Sequence, residues 1–140
     1  MNPCIRQTVW IAACMLASTI SGGQEASRTF QLSGRVFGAS AKNPVYVALW
    51  NEDGFLTKPI EQVRIETNAE RSFHFKVHAG RWALSAFEDR NGNGILDMGL
   101  FGPHEPSGFW RAFAAHHKPR FDEVASVVER DTPNADIVLK

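Results

Sequence analysis

Cysteine is nearly absent from this 140-residue chain: there are two, Cys4 and Cys14, both close to the N-terminus. Beyond them no thiol exists, which excludes a disulfide, a thiolate nucleophile and a thiolate-held metal from the rest of the chain. An excess of charge is lacking as well. Fifteen basic and fifteen acidic residues cancel, so no basic field covers the surface to draw in a polyanion, and nucleic acid is not an expected partner. Long hydrophobic runs are missing. The longest, from Thr8 to Ile20, falls short of the roughly 20 residues that a membrane-spanning helix needs. Hydrolytic signatures are missing too: there is no Gly-x-Ser-x-Gly elbow and no His-Glu-x-x-His helix. Ser85 and Ser107 have no recognisable base beside them.

What is present divides into two materials. Residues 1–23 follow the order of a secretory signal peptide. Arg6 supplies the charge, Val9 to Leu16 the apolar centre, and Ser21 and Gly23 the small residues for cleavage. The competing reading of this run is a buried N-terminal helix. Ile11-Ala12-Ala13-Cys14 has the outline of a lipidation box, but too little apolar sequence precedes it. The expectation is a cleaved leader and a periplasmic or secreted domain, residues 24–140, with no membrane span once the leader is gone. About 115 residues suffice to bury roughly two-thirds of the unfolded surface without disulfides.

Short runs of period two recur along that domain, as strands require. They centre on Phe30-Leu32-Val36, Val45-Val47-Leu49, Val63-Ile65, Phe73-Phe75-Val77, Trp82-Leu84-Ala86, Ala125-Val127 and Ile137-Leu139. Turn chemistry separates them at Asn43-Pro44, Glu52-Asp53-Gly54, Thr67-Asn68, Ala79-Gly80 and Thr132-Pro133-Asn134. No long amphipathic helix interrupts the pattern, although Phe109–His117 and Phe121–Val128 each have room for a helical turn. About seven short strands predict an all-β fold, a two-layer antiparallel β-sandwich. Trp82 is expected on its inward face, where truncation to Ala costs about 3–5 kcal/mol. One long irregular loop, Met98 to Lys118, breaks the rhythm. Loops of that length are functional or packed by their own side chains.

Chemistry concentrates around that loop. Asp89-Arg90-Asn91-Gly92-Asn93-Gly94-Ile95-Leu96-Asp97 places oxygen-bearing side chains at positions one, three, five and nine and glycine at six, the spacing of a calcium loop. Asp89, Asn91, Asn93 and Asp97 supply side-chain oxygens and Ile95 a backbone carbonyl. Position twelve is Leu100 rather than a bidentate glutamate, and Glu105 is the candidate replacement. Such a site is weak, on the order of 10⁻⁴–10⁻³ M. The alternative is a plain hairpin turn at Asn91-Gly92 or Asn93-Gly94. On the calcium reading, Asp89→Asn leaves the ion-free fold little changed, because Asn tolerates the same turn.

His74 and His78 lie four apart on a strand, roughly 13 Å, too far to share a metal. His104, Glu105, His116 and His117 would gather as a zinc site only through loop folding. Among the aromatics, Trp50, Trp82, Phe73, Phe75 and Phe87 belong to strands and to the core. Phe101, Phe109, Trp110 and Phe113 either cap the open end of the sandwich or form an exposed platform for a glycan or peptide.

The strand and turn Val45-Tyr46-Val47-Ala48-Leu49-Trp50-Asn51-Glu52-Asp53-Gly54-Phe55 resemble those of a bacterial family, domain of unknown function 2141. So do Gly80 to Phe87 with Asp89 to Asp97, Gly102-Pro103-His104-Glu105, Gly108-Phe109 and Phe121-Asp122-Glu123. The resemblance spans residues 29 to 140. It implies a small exported sandwich, transthyretin-like or carboxypeptidase-regulatory-like, and no known activity. Two departures stand out. Gly102-Pro103-His104-Glu105 is shorter than the family's Gly-x-Pro-x-Glu, and Trp110-Arg111-Ala112-Phe113 replaces its polar Ser-Asn-Asn.

Three functions remain at this stage. The first is a non-catalytic module binding an envelope or extracellular ligand. The second is a structural accessory domain without a small ligand. The third is a metal-dependent enzyme.

Overall fold

A computed structural model describes residues 27–67, 70–114 and 116–140. The expected leader, with both cysteines, lies outside the described residues, and so does Asn68 of the expected Thr67-Asn68 turn. The domain is nearly all-β. Its strands are β1 (Thr29–Phe37), β2 (Val45–Trp50), β3 (Glu61–Ile65), β4 (Ser72–His78), β5 (Gly80–Glu88), β6 (Met98–Gly99), β7 (Gly102–Pro103), β8 (Ser107–Phe109), β9 (Ser126–Val128) and β10 (Ile137–Val138). The single helix among the described residues, α1 (Phe121–Val124), is one turn long. All seven expected strands form. β6, β7 and β8 are additional, and each is too short to carry a periodic signal.

The strands make two principal sheets, neither closed into a barrel, in the manner of a β-sandwich. One has the order β10-β1-β4, and the other β3-β2-β5-β8. β9 also pairs with β5: Ser85–Phe87 pair with β8 and Gly80–Trp82 with β9. Antiparallel pairing dominates, as expected of an antiparallel β-sandwich, with one exception at the C-terminus. β10 runs parallel to β1, with Val36 opposite Ile137.

β10 also ties the sheets together. Ser107 and Lys140 exchange backbone hydrogen bonds of 3.3 and 3.2 Å. Two glycines admit the C-terminal segment at this seam. A Cβ on Gly34 would collide with the carbonyl of Ala135, and one on Gly108 with that of Val138.

Alternation decides which side chains meet between the sheets. Phe73, Phe75 and Val77 of β4 point inward while Ser72, His74, Lys76 and His78 face water. Leu32 and Val36 of β1, Val45, Val47 and Leu49 of β2, Leu84 and Ala86 of β5, Val128 and Ile137 complete the buried core. Trp82 packs against this core but is only partly buried. Its indole N–H donates to the carbonyl of His78 at 2.9 Å.

β2 and β5 are apolar on their outer face too. Ala83 joins Phe121, Val124 and Ala125 there in a second buried cluster, and Phe87 stacks on Tyr46 at 5.2 Å. Ala125 and Val127 share the outer face of their segment, but only Ala125 is covered; Val127 is exposed and Val128 supplies the core.

Candidate functional site: an acidic loop beneath an exposed hairpin

β5 ends in a pair of buried carboxylates, Glu88 at 0% and Asp89 at 2% exposure. Burying a charge is costly unless hydrogen bonds replace its water. Glu88 Oε1 accepts from the Ser40 hydroxyl and, at 2.7 Å, from the Asn43 amide; Oε2 accepts from the Ser40 N–H at 3.1 Å. Burial pushes this carboxyl's pKa up. The bonds from Ser40 and Asn43 and the Arg90 charge together outweigh that, leaving it below the ordinary value. Arg71 reaches the same connection from the other sheet, donating to the carbonyls of Ser40 and Asn43. The strand end that carries the acidic loop is thereby fixed from two sides.

The loop winds around Asp89. Its Oδ1 accepts the Gly92 N–H and its Oδ2 the Gly94 N–H, both at 2.9 Å. Each carboxylate oxygen keeps a second lone pair. Asn91 Oδ1 accepts from the Asn93 N–H at 3.1 Å, and Asn93 Oδ1 from the Ile95 N–H at 2.9 Å. Asp97 Oδ2 accepts the amide groups of Asn91 and Asn93. Gly92 and Gly94 take positive φ of 78° and 71°, the left-handed conformation that glycine adopts at least cost.

The hairpin-turn alternative is therefore corrected in its topology. The glycines do turn the chain, but not between two paired strands. β6, which follows the loop, pairs with β7, while β5 pairs with β8.

The β6–β7 hairpin doubles back over the loop. The His104 N–H donates to the Asp97 carbonyl at 2.9 Å, and the His104 ring lies against Gly99, where a Cβ would strike it. Glu105 comes next and turns inward, at 6% exposure. Its Oε1 accepts the Arg90 N–H at 2.7 Å, while its Oε2 is buried without a hydrogen-bond partner. At the other end of the hairpin, Leu100 and Phe101 stand 99% and 104% exposed, flanked by exposed Met98 and Ile95.

The four aromatics expected to act together are divided. Phe109 and Phe113 are half-buried and pack with Trp50 and Phe55 on the outer cluster, and Trp110 packs on the main core. They cap the sheets. Phe101 alone stands free. Sequence reasoning missed its apolar neighbours Ile95, Met98 and Leu100; the signal was a hydrophobic cluster in a glycine-rich stretch with no strand long enough to bury it.

The histidines do not gather either. His117 is bonded to Glu123 at 2.9 Å, not to Glu105. Among the described residues, no three Asp, Glu, His or Cys side chains converge to hold a metal ion. A cation at the loop would have to draw on the Asn oxygens and the Ile95 carbonyl as well. No helix among the described residues is long and apolar enough to cross a membrane.

An all-β, sandwich-like domain with one structured acidic loop and one exposed hairpin is the class these features define. A family model described as an uncharacterised protein conserved in bacteria, domain of unknown function 2141, matches residues 38–136. The chain belongs to that family, as the resemblance in its central motifs implied. No curated protein and no solved structure matches it.

Proposed function

We propose that this protein is an exported, non-catalytic β-sandwich module of the cell envelope or extracellular space. On this reading it binds a ligand through the Met98–Pro103 hairpin, with a weak calcium site in the Asp89–Asp97 loop beneath. The observation that carries the binding role is the pair Leu100 and Phe101, 99% and 104% exposed at a hairpin tip. Contiguous exposed apolar surface beyond a few hundred Å² marks interaction sites on soluble proteins.

The leader-like order of residues 1–23 supports export. The buried carboxylates support a structural rather than catalytic use of charge: Glu88, Asp89 and Glu105 each hold neighbouring chain through backbone N–H groups. Of the two expected ligand classes, a peptide fits better than a glycan. Leu100 and Met98 beside Phe101 suit an apolar pocket or peptide face, whereas sugar stacking favours bare aromatic surfaces.

A peptide and glycan binding screen tests this reading, run on the wild-type protein and on Leu100→Ser/Phe101→Ser. Expected are peptide hits that the double variant loses while its fold is unchanged. Hits that survive in the variant, or no hits at all, favour the second reading, a structural accessory domain without a small ligand.

A further inference from the structure

We propose that the free edge of β4 is a docking strand for an acidic, extended segment of a partner protein. That segment adds to the β10-β1-β4 sheet as its next strand. The edge is a separate feature from the exposed hairpin and does not depend on what the hairpin binds.

β4 is the last strand of its sheet, with β1 on one side and no strand among the described residues on the other. The Val36 N–H donates to the Arg71 carbonyl at 2.8 Å, and this bond sets the phase of the ladder. Hydrogen-bonded and non-hydrogen-bonded pairs alternate along antiparallel strands. Gly34, Leu32 and Phe30 therefore exchange bonds with Phe73, Phe75 and Val77. The backbone N–H groups of Ser72, His74, Lys76 and His78 point the other way, and no backbone carbonyl among the described residues accepts from them. One carbonyl of this row, that of His78, is taken by the Trp82 indole.

Other edges of the two sheets are answered or blunted. On the far side of β1, the Gln31 and Arg35 N–H groups donate to the carboxylates of Asp131 and Asp136 at 2.8 and 2.9 Å. β3, the free edge of the other sheet, is short, follows Pro59 and carries exposed Glu61 and Arg64, features that keep a foreign strand away. β4 has seven residues, no proline and an unbroken register. Charge selects its occupant. The exposed side chains along the edge are Ser72, His74, Lys76 and His78, and β1 sets Arg35, Ser33, Gln31 and Thr29 opposite them. None is acidic, and nearby Glu70 is already paired with Arg35 at 2.9 Å. A second copy pairing antiparallel about Phe75 would set Lys76 opposite a histidine and supply no counter-charge. A strand with Asp or Glu at alternate positions sets carboxylates beside His74, Lys76 and His78, the favourable cross-strand combination. Its intervening residues lie at the core margin beside Phe73, Phe75 and Val77 and suit small apolar side chains. In this mode of recognition main-chain bonds give affinity and alternate side chains give specificity.

The test follows amide hydrogen exchange of the protein by NMR with two capped synthetic peptides, Thr-Glu-Val-Glu-Val-Glu-Thr and Thr-Lys-Val-Lys-Val-Lys-Thr. With the glutamate peptide at about ten times its Kd, the N–H groups of His74 and Lys76 should exchange about tenfold more slowly. Those of Phe73, Phe75 and Val77 are already bonded to β1 and should change little. The lysine peptide should give no slowing. Lys76 faces water, so Lys76→Glu should keep the fold and reverse the preference between the peptides. No slowing with the glutamate peptide overturns the proposal. Equal slowing by both peptides overturns it as well, as does slowing by the glutamate peptide that Lys76→Glu retains in full. Slowing at His74 and Lys76 that appears without peptide and grows with protein concentration identifies a second copy as the occupant and overturns the acidic partner. If Lys76→Glu fails to fold, the contrast between the two peptides on the wild type decides.

Discussion

Glu105 accepts a hydrogen bond at 2.7 Å from the backbone N–H of Arg90, fifteen residues earlier in the chain. This contact joins the base of the exposed hairpin to the start of the acidic loop. It makes one unit of two segments that a linear reading treats apart. Glu88 does the same for the β1–β2 connection through Ser40 and Asn43. Two buried glutamates thus organise one end of the sandwich.

Asp89→Asn should destabilise the protein even in chelator, by about 1–3 kcal/mol. The sequence alone suggests a silent change, because Asn tolerates the turn. The structure shows both Asp89 oxygens accepting backbone N–H groups, from Gly92 and Gly94. An Asn side chain has one acceptor oxygen and leaves the other N–H unpaired. Urea titrations of both proteins in chelator check this, and equal midpoints count against the observed loop.

Stability should fall on acidification partly through Glu88. Its folded-state pKa lies below the ordinary 4.5, so its contribution is present above pH 4.5 and is lost as pH falls through the folded value. Glu88→Gln should be less stable at neutral pH and should flatten the decline below about pH 4.5. Ser40→Ala removes a hydroxyl donor to the buried charge and should cost about 1.5–3 kcal/mol at neutral pH. Denaturant midpoints measured across acidic pH report both effects.

Phe75→Ala should cost about 3–5 kcal/mol, since Phe75 is 1% exposed at the centre of the core. Trp82→Ala should cost less, about 3 kcal/mol or under. Trp82 is only partly buried, and losing its indole frees the His78 carbonyl to meet water. The order of the two in equilibrium unfolding is the discriminating measurement.

Gly108→Ala should destabilise by about 1–3 kcal/mol, because the new methyl meets the Val138 carbonyl at the seam between the sheets. Leu100→Ser/Phe101→Ser should change stability by no more than about 0.5 kcal/mol, because both side chains already face water. Thermal melts of the two variants should separate sharply, with only Gly108→Ala lowering the midpoint.

The sequence by itself determined the seven main strands and the all-β class. Period-two burial is a local property: Phe73, Phe75 and Val77 must share a side of any strand they form. It also marked the Asp89–Asp97 loop and the family, since both lie in contiguous motifs. Tertiary structure decided the rest. Parallel pairing of β10 with β1 depends on backbone contacts at Gly34 and Ala135, residues far apart in the chain, and alternation does not encode a strand's direction. Phe109, Trp110 and Phe113 became covering side chains while Phe101 stayed bare, because only the folded sheets define where outer apolar surface needs cover. Glu105 reached the loop because a hairpin too short to register as strands turned the chain back. Hydrophobic periodicity reports the face a residue takes within its own element; which distant element meets that face depends on the three-dimensional path of the backbone.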